Sequence, residues 1–147
     1  MNQVTLEERI TRLEDIEAIK QLKARYCDIC DDDHNPDRIA SVFAADGIWE
    51  SPDFGKANGH AEIITLFQGF KEMFNFSQHN LMNPIIEVNG DTATAQGYMM
   101  GPWNFTEDGK KQWFALRYND DYVKQNGEWV YSHLRVVLRM DESRVMD

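Results

Sequence analysis

Helical spacing fills most of the first half of this chain, and everything from Ser77 onward reads as strand. That order constrains the fold more than any single motif. Thr5 and Glu8 stand at capping-box spacing, where each side chain can take the other's backbone N–H. Leu6, Ile10, Leu13, Ile16, Ile19, Leu22, Tyr26 and Ile29 then recur at three- and four-residue steps, the spacing of one amphipathic helix. It ends at the acidic cluster Asp31-Asp32-Asp33. Asn35-Pro36 starts a short second helix, with Ile39, Val42 and Phe43 as its buried face. Asp46-Gly47 turns into a short strand, Ile48-Trp49-Glu50, followed by a loop rich in Gly, Asn and Pro. Gly59 to Phe74 reads as a third helix with Ile63, Leu66, Phe67, Phe70 and Phe74 facing inward.

Four long strands follow: about Gln78 to Val88, Thr92 to Met100, Gln112 to Val123 and Trp129 to Arg139. Asn89-Gly90 suits a type I′ hairpin turn, and Gln125-Asn126-Gly127 makes another. Pro84, which has no N–H for a ladder, implies a bulge or an edge strand. Asp141 to Asp147 is a polar tail expected to fray. Helices first and hairpin-linked strands after give an α+β architecture, three N-terminal helices packed in a curved, mostly antiparallel sheet. At 147 residues the chain reads as one domain, 1–147.

Charge narrows the partners. A net charge of −10 argues against nucleic acid, which demands a basic face, and against anionic membranes. No apolar run is long enough to span a bilayer, and the charged N-terminus is no signal peptide. Cys27 and Cys30 form a C-x-x-C without the βαβ context of a redox motif or the second pair of a zinc site. They read as reduced thiols on a helix, in a cytoplasmic protein. Neither metal nor cofactor is expected. Aromatic residues at 12% suffice to fill a core or to line an apolar pocket.

The residue that stands out chemically is His79, in Ser77-Gln78-His79-Asn80-Leu81-Met82-Asn83-Pro84. Histidine is the side chain best suited to move protons near neutral pH. A carboxylate would complete a pair, and Asp31 and Asp32 are the candidates. Tyr26, a helical turn or so earlier, is a candidate to hydrogen-bond a substrate oxygen or assist a leaving hydroxyl. Asn83 falls in phase with His79 if the strand is regular. Trp49, Tyr98, Trp113 and Arg117 are candidate pocket liners. Trp113, Ala115, Arg117 and Asn119 share one face of their strand, and Phe114, Leu116 and Tyr118 the other; sequence leaves open which looks inward. Each has a plainer reading too. His79 can be a satisfied interior histidine, Tyr26 a core tyrosine, and Arg117 a partner of Glu50. His34 reads as exposed loop and His60 as the first turn of the third helix. His133, in phase with Trp129, Tyr131 and Arg135, is a lesser candidate for a second pocket histidine.

Three stretches carry a resemblance over about Leu6 to Leu138: Ile19-Lys20-Gln21-Leu22 through Tyr26 to Asp31-Asp32, then Ile39-Ala40-Ser41-Val42-Phe43-Ala44-Ala45-Asp46-Gly47-Ile48-Trp49; His79-Asn80-Leu81-Met82-Asn83-Pro84; and Arg117-Tyr118-Asn119-Asp120-Asp121-Tyr122-Val123 with Gly127-Glu128-Trp129. Together they resemble the SnoaL-like branch of the NTF2-like superfamily, which includes polyketide cyclases, scytalone dehydratase, bile acid dehydratases and hexachlorocyclohexane dehydrochlorinase. The resemblance implies a cone with an apolar pocket, and an Asp from the end of the first helix beside a His from the first long strand. The His is His79. Counting from Tyr26 gives Asp31; counting back from Ile39 gives Asp32, the preferred choice because its loop needs no gap.

The expected activity is a cofactor-independent lyase, a dehydratase or related elimination on a small cyclic or aromatic substrate. An isomerase or polyketide-type cyclase would use the same pair. A different class is a non-catalytic binder, or a small subunit of a ring-hydroxylating oxygenase, which predicts an iron–sulfur partner and a long N-terminal extension. The resemblance also implies a homodimer or homotrimer, and Phe114, Tyr118, Trp129 and Tyr131 are read as aromatics on both faces of a doubly covered sheet.

Overall fold

The computed structural model describes residues 3–141; the fraying expected of the C-terminal tail concerns residues 142–147, outside that range. Helix α1 (Leu6–Asp31) opens with the expected capping box: Thr5 accepts from the Glu8 N–H, and Glu8 accepts from the Thr5 N–H at 2.7 Å. Its apolar stripe is buried from Ile19 onward, whereas Leu6, Ile10 and Leu13 are exposed. Helix α2 (Pro36–Ile39) is a single turn capped by Asn35, and a 3₁₀ turn (Ala40–Val42) extends it. Helix α3 (Gly59–Met73) buries Ile63, Phe67 and Phe70.

Seven strands follow the order β2-β1-β7-β6-β5-β3, with β4 also paired to β5. They are β1 (Phe43–Ser51), β2 (Gly55–Asn58), β3 (Phe74–Ser77), β4 (Asn80–Asn89), β5 (Thr92–Phe105), β6 (Lys111–Gln125) and β7 (Glu128–Met140). Only β1–β7 is parallel; the other pairs are antiparallel. The helices close over the inner face of this curled sheet, as the sequence order implies. Strand β2 arises where a loop was expected, because Gly55 to Asn58 doubles back on Ser51 to Ile48.

The hairpin between β4 and β5 differs from expectation in detail. Its central residues are Gly90 and Asp91, and only Gly90 (φ 61°) has positive φ. That is the pattern of a II′ turn, with Gly at the first central position. The β6–β7 hairpin has Asn126 (φ 53°) and Gly127 (φ 77°), the I′ pattern.

Two irregularities aim the side chains. In β4, pairing with β5 slips between Met82 and Ile85, and Asn83 takes φ 54°. The bulge expected at Pro84 is therefore present on an edge strand. Between β6 and β7, Asp121 opposes His133 while Tyr122 opposes Tyr131. Ser132 is the extra residue, and it reverses the side-chain phase from His133 to Leu138.

The inner face of β6 carries Phe114, Leu116, Tyr118, Asp120 and Tyr122, and that of β7 carries Trp129, Tyr131, Leu134 and Val136; all are buried. Phe114, Tyr118, Trp129 and Tyr131 therefore all belong to the chain's own core and supply no sign of a doubly covered sheet. The outer face instead exposes Met100, Trp113 and Met140. Cys27 and Cys30 are free and buried; burial pushes the Cys27 thiol up to about 12. Among the described residues, no helix is long and apolar enough to cross a membrane.

Candidate active site

His79 sits where the chain leaves β3 and enters β4. Both strands pair with the same edge of β5 and in one register, Ser77 opposite Trp103 and Asn80 opposite Met100, and only the two residues between them leave the strand. There the chain presses against Gly101: the Gln78 N–H donates to Pro102 O at 3.1 Å, and a Cβ on Gly101 would lie 1.7 Å from Gln78 O. No side chain fits there, which is why this position is glycine. At this break in the strand the His79 N–H turns from the ladder and donates to Asp31 Oδ2 at 3.0 Å.

The ring completes the pair. His79 Nδ1 lies 2.6 Å from Asp31 Oδ1. An ionised carboxylate only accepts, so Nδ1 carries the proton of this bond, and in the neutral ring Nε2 holds the lone pair. The Ser77 hydroxyl lies 3.2 Å from the same Oδ1 and 3.1 Å from Cys30 O, and donates to one of them at a time. The His79 side chain is 2% exposed and that of Asp31 28%. A buried imidazole thus meets a carboxylate that stays partly solvated.

Asp32, the preferred partner by sequence, is not the partner in the structure. Asp31 is the last residue of α1, and its side chain reaches β3. Asp32 is the C-cap, with φ −91° and ψ 60°, and that turn of the backbone sends its carboxylate outward. It accepts from Arg38 Nη1 at 2.8 Å and from the Asn35 amide at 2.9 Å. The Arg38 and Asn35 bonds hold it below the usual carboxylate range.

Beside the pair lies a hollow of about 20 Å³, room for about one water molecule. Tyr26, Trp49, Phe67, Trp103 and Tyr118 are among its lining residues. Tyr26 Oη accepts from Trp49 Nε1 at 2.8 Å. Burial raises the Tyr26 phenol well above its ordinary value, so it stays protonated and acts as a donor. Phe54, half-buried on the β1–β2 turn, also reaches the hollow and packs edge-on against Phe70 and Phe114.

His34 is the residue that sequence reasoning misplaced most. It is 3% exposed, not loop surface. Asp33 (φ 54°) and His34 (φ 47°) both adopt left-handed backbone, and the His34 and Asn35 N–H groups return to the Cys30 and Ile29 carbonyls. This tight reversal folds the His34 ring inward, against Phe67, Phe70, Phe74 and Trp103. Desolvation first, and His79 second, push its pKa down to about 3, so the ring is neutral near neutral pH. The signal that could have found it is the type of residue after the helix: Asp and His are among the side chains that tolerate positive φ.

Several expected liners lie elsewhere. Arg117 is on the outer face, donating to Tyr98 Oη at 3.0 Å and Gln96 Oε1 at 2.6 Å. Trp113 is 52% exposed on that same face. Tyr98 stands opposite Arg117, away from His79. Asn83 is exposed, because the bulge breaks its phase with His79. Glu50, the alternative partner for Arg117, is instead 2.6 Å from His133 Nε2. His133 faces outward, against its expected phase, because of the Ser132 bulge; Arg135 donates to its Nδ1 at 2.9 Å. His60 is in the first turn of α3, as read, and ties to Phe43 O at 2.8 Å. Of the named liners, Trp49 alone joins Tyr26 at the hollow.

A second hollow of about 220 Å³ lies between α1 and the β4–β5 hairpin. It touches neither His79 nor Asp31, and Tyr118 is the residue it shares with the first. Its wall carries a buried ion pair, Lys23 Nζ to Asp120 Oδ2 at 2.9 Å, with the ammonium 3.2 Å from the Tyr118 ring centre. Among the described residues, no three His, Cys, Asp or Glu side chains converge as metal ligands.

The SnoaL-like domain family matches residues 11–135. The chain belongs to that family. Among solved structures, a scytalone dehydratase-like protein of Novosphingobium aromaticivorans superposes with a TM-score of 0.83 at 21% identity, over 95% of this chain and 93% of that one. A hexachlorocyclohexane dehydrochlorinase of Novosphingobium barchaimii gives 0.82 at 21%, over 90% and 92%. A protein of unknown function from Mycobacterium tuberculosis gives 0.76 at 21%, over 94% and 78%. At such identities the likeness establishes the fold, and this fold serves several chemistries.

Proposed function

We propose that this SnoaL-like protein is a cofactor-independent lyase that eliminates water or a similar leaving group from a small cyclic substrate. The observation that carries the reading is the 2.6 Å contact between His79 Nδ1 and Asp31 Oδ1. It leaves Nε2 as a free base on a ring that is almost wholly buried. His79 Nε2 takes a proton from the carbon beside a carbonyl, and the C–H electron pair passes into an enolate. The enolate collapses to a C=C bond and expels the β-hydroxyl. The imidazolium returns its proton to that hydroxyl, so water leaves and His79 is restored. Asp31 holds the tautomer and stabilises the transient imidazolium. Tyr26, whose oxygen accepts from Trp49, turns its proton from Tyr118 to a substrate oxygen. That a relative by fold is named a dehydrochlorinase accords with elimination, as does the scytalone dehydratase-like neighbour.

The small hollow sets a condition. A ring-sized substrate enters by displacing part of the aromatic lining, and Phe54, on a turn and half-buried, is the side chain placed to move. The test is elimination from β-hydroxycyclohexanone, followed by cyclohexenone absorbance, beside chloride release from hexachlorocyclohexane. The wild type should accelerate at least one, and His79→Ala should lower that rate about 10²–10⁴-fold. Equal rates for the two proteins would contradict a His79 base. Isomerisation without elimination would keep the base and change the reaction.

A further inference from the structure

The hollow beside His79 carries a donor that the proton-transfer pair does not use. Trp103 projects from the inner face of β5 and is 6% exposed. Its ring centre lies 5.0 Å from that of His79 and 5.3 Å from that of His34, and the two imidazoles are 6.3 Å apart. Its Nε1–H is buried without a hydrogen-bond partner among the described residues. The other indoles are provided for: Trp49 donates to Tyr26, Trp129 donates to Asp15 at 2.9 Å, and Trp113 is half exposed. A buried donor left unpaired is rare enough to need a reason, and here it stands in the wall of the candidate site.

The surroundings say what kind of acceptor would satisfy it. No Lys or Arg lines the hollow, and the Asp31 carboxylate stands just behind His79, so an anion is disfavoured. His34 is neutral, because burial holds its pKa near 3. Its uncharged ring offers one N–H and one lone pair.

We propose that Trp103 Nε1 donates to a neutral oxygen of the ligand, a ring ketone carbonyl, held between Trp103, His34 and His79. This rests on the reading of the hollow as the reaction site and deepens it by naming the substrate's polar handle. A carbonyl there has its α-carbon beside His79 Nε2. As that base takes the α-proton, negative charge develops on the oxygen, and the indole proton stays on Trp103 while its hydrogen bond strengthens.

The experiment follows the four indole N–H resonances of uniformly ¹⁵N-labelled protein, with Trp103 assigned through Trp103→Phe. Cyclohexanone is titrated beside methylenecyclohexane, which has the same shape without the oxygen. The expected result is a downfield shift of the Trp103 N–H with the ketone alone. Trp103→Phe should weaken ketone binding about 3- to 10-fold, the worth of one hydrogen bond, and leave the hydrocarbon within about twofold. The same shift with both ligands, or ketone affinity unchanged in the variant, overturns the proposal. So does an upfield resonance that neither ligand moves, which would place the N–H against the Phe74 or Phe114 ring. Binding is read without turnover, so it separates from the base assignment. A ketone-specific shift with elimination unaffected by His79→Ala would leave the Trp103 contact standing and remove the base. The reverse would remove only the contact.

Discussion

One sheet presents two faces with opposite uses of polar groups. On the inner face, His79, His34, Trp103 and Tyr26 are packed among aromatic rings, and the Trp103 Nε1–H has no partner among the described residues. On the outer face, Glu50, His133, Arg135 and Asp121 form a partly solvated chain of contacts of 2.6–2.9 Å, and Arg117 joins Tyr98 and Gln96. Both faces hold a histidine 2.6 Å from a carboxylate. What separates them is the water around each. The His79 side chain is 2% exposed and the His133 side chain 19%, and His133 has both nitrogens occupied. A histidine–carboxylate contact is therefore no sign of a base until the second nitrogen is free and faces a hollow.

That contrast can be broken by experiment. The largest effect is expected from Asp31→Asn, which keeps the shape and removes the charge that fixes the His79 tautomer. On any substrate that His79 turns over, it should lose about 10²-fold or more, whereas Asp32→Asn should stay within about twofold. Next comes stability. Phe67→Ala removes a fully buried ring and should cost about 3–5 kcal/mol in urea unfolding, while Trp113→Ala, on the outer face, should cost no more than about 0.5 kcal/mol. Equal losses would mean that the outer face is covered in solution.

A smaller effect concerns pH. His34 has a folded pKa pushed down to about 3, below the 6.5 of a free imidazole. Between those values the unfolded chain binds a proton that the folded chain refuses, so stability falls as the pH drops. The slope from this group is about 1.4 kcal/mol per pH unit. His34→Asn, which tolerates the same positive φ, should flatten the acid limb by about that amount between pH 4 and 6. An unchanged limb would place His34 in contact with water. The smallest change is expected from Arg117→Gln, which should leave turnover within about twofold, because its partners all lie on the outer face.

The same contrast explains what was legible in the residues. The capping box, the long first helix, the hairpins and the α+β order follow from local spacing, and the structure has them. His79 was legible because an ionisable side chain in a stretch that reads as buried strand has few reasons to be there, although the residue itself falls between β3 and β4. Which face of β6 turns inward was not, because a period of two says only which residues travel together. Trp113 and Arg117 went one way, and Phe114, Leu116 and Tyr118 the other. His133 followed its apparent phase until the Ser132 bulge reversed it. Asp31 and Asp32 differ by one residue at a helix end, where the last helical residue and its cap point apart. Trp103 continues the alternation of Gly97, Met99 and Gly101 past Met100, where the strand was expected to stop.

The measurement that tests the central assignment most directly is the tautomer of His79, read from long-range ¹H–¹⁵N correlations of its ring at mildly alkaline pH. The account predicts a protonated Nδ1 and a bare Nε2, a state lost in Asp31→Asn and kept in Asp32→Asn. A proton on Nε2 in the wild type, or a ring indifferent to Asp31→Asn, would contradict it.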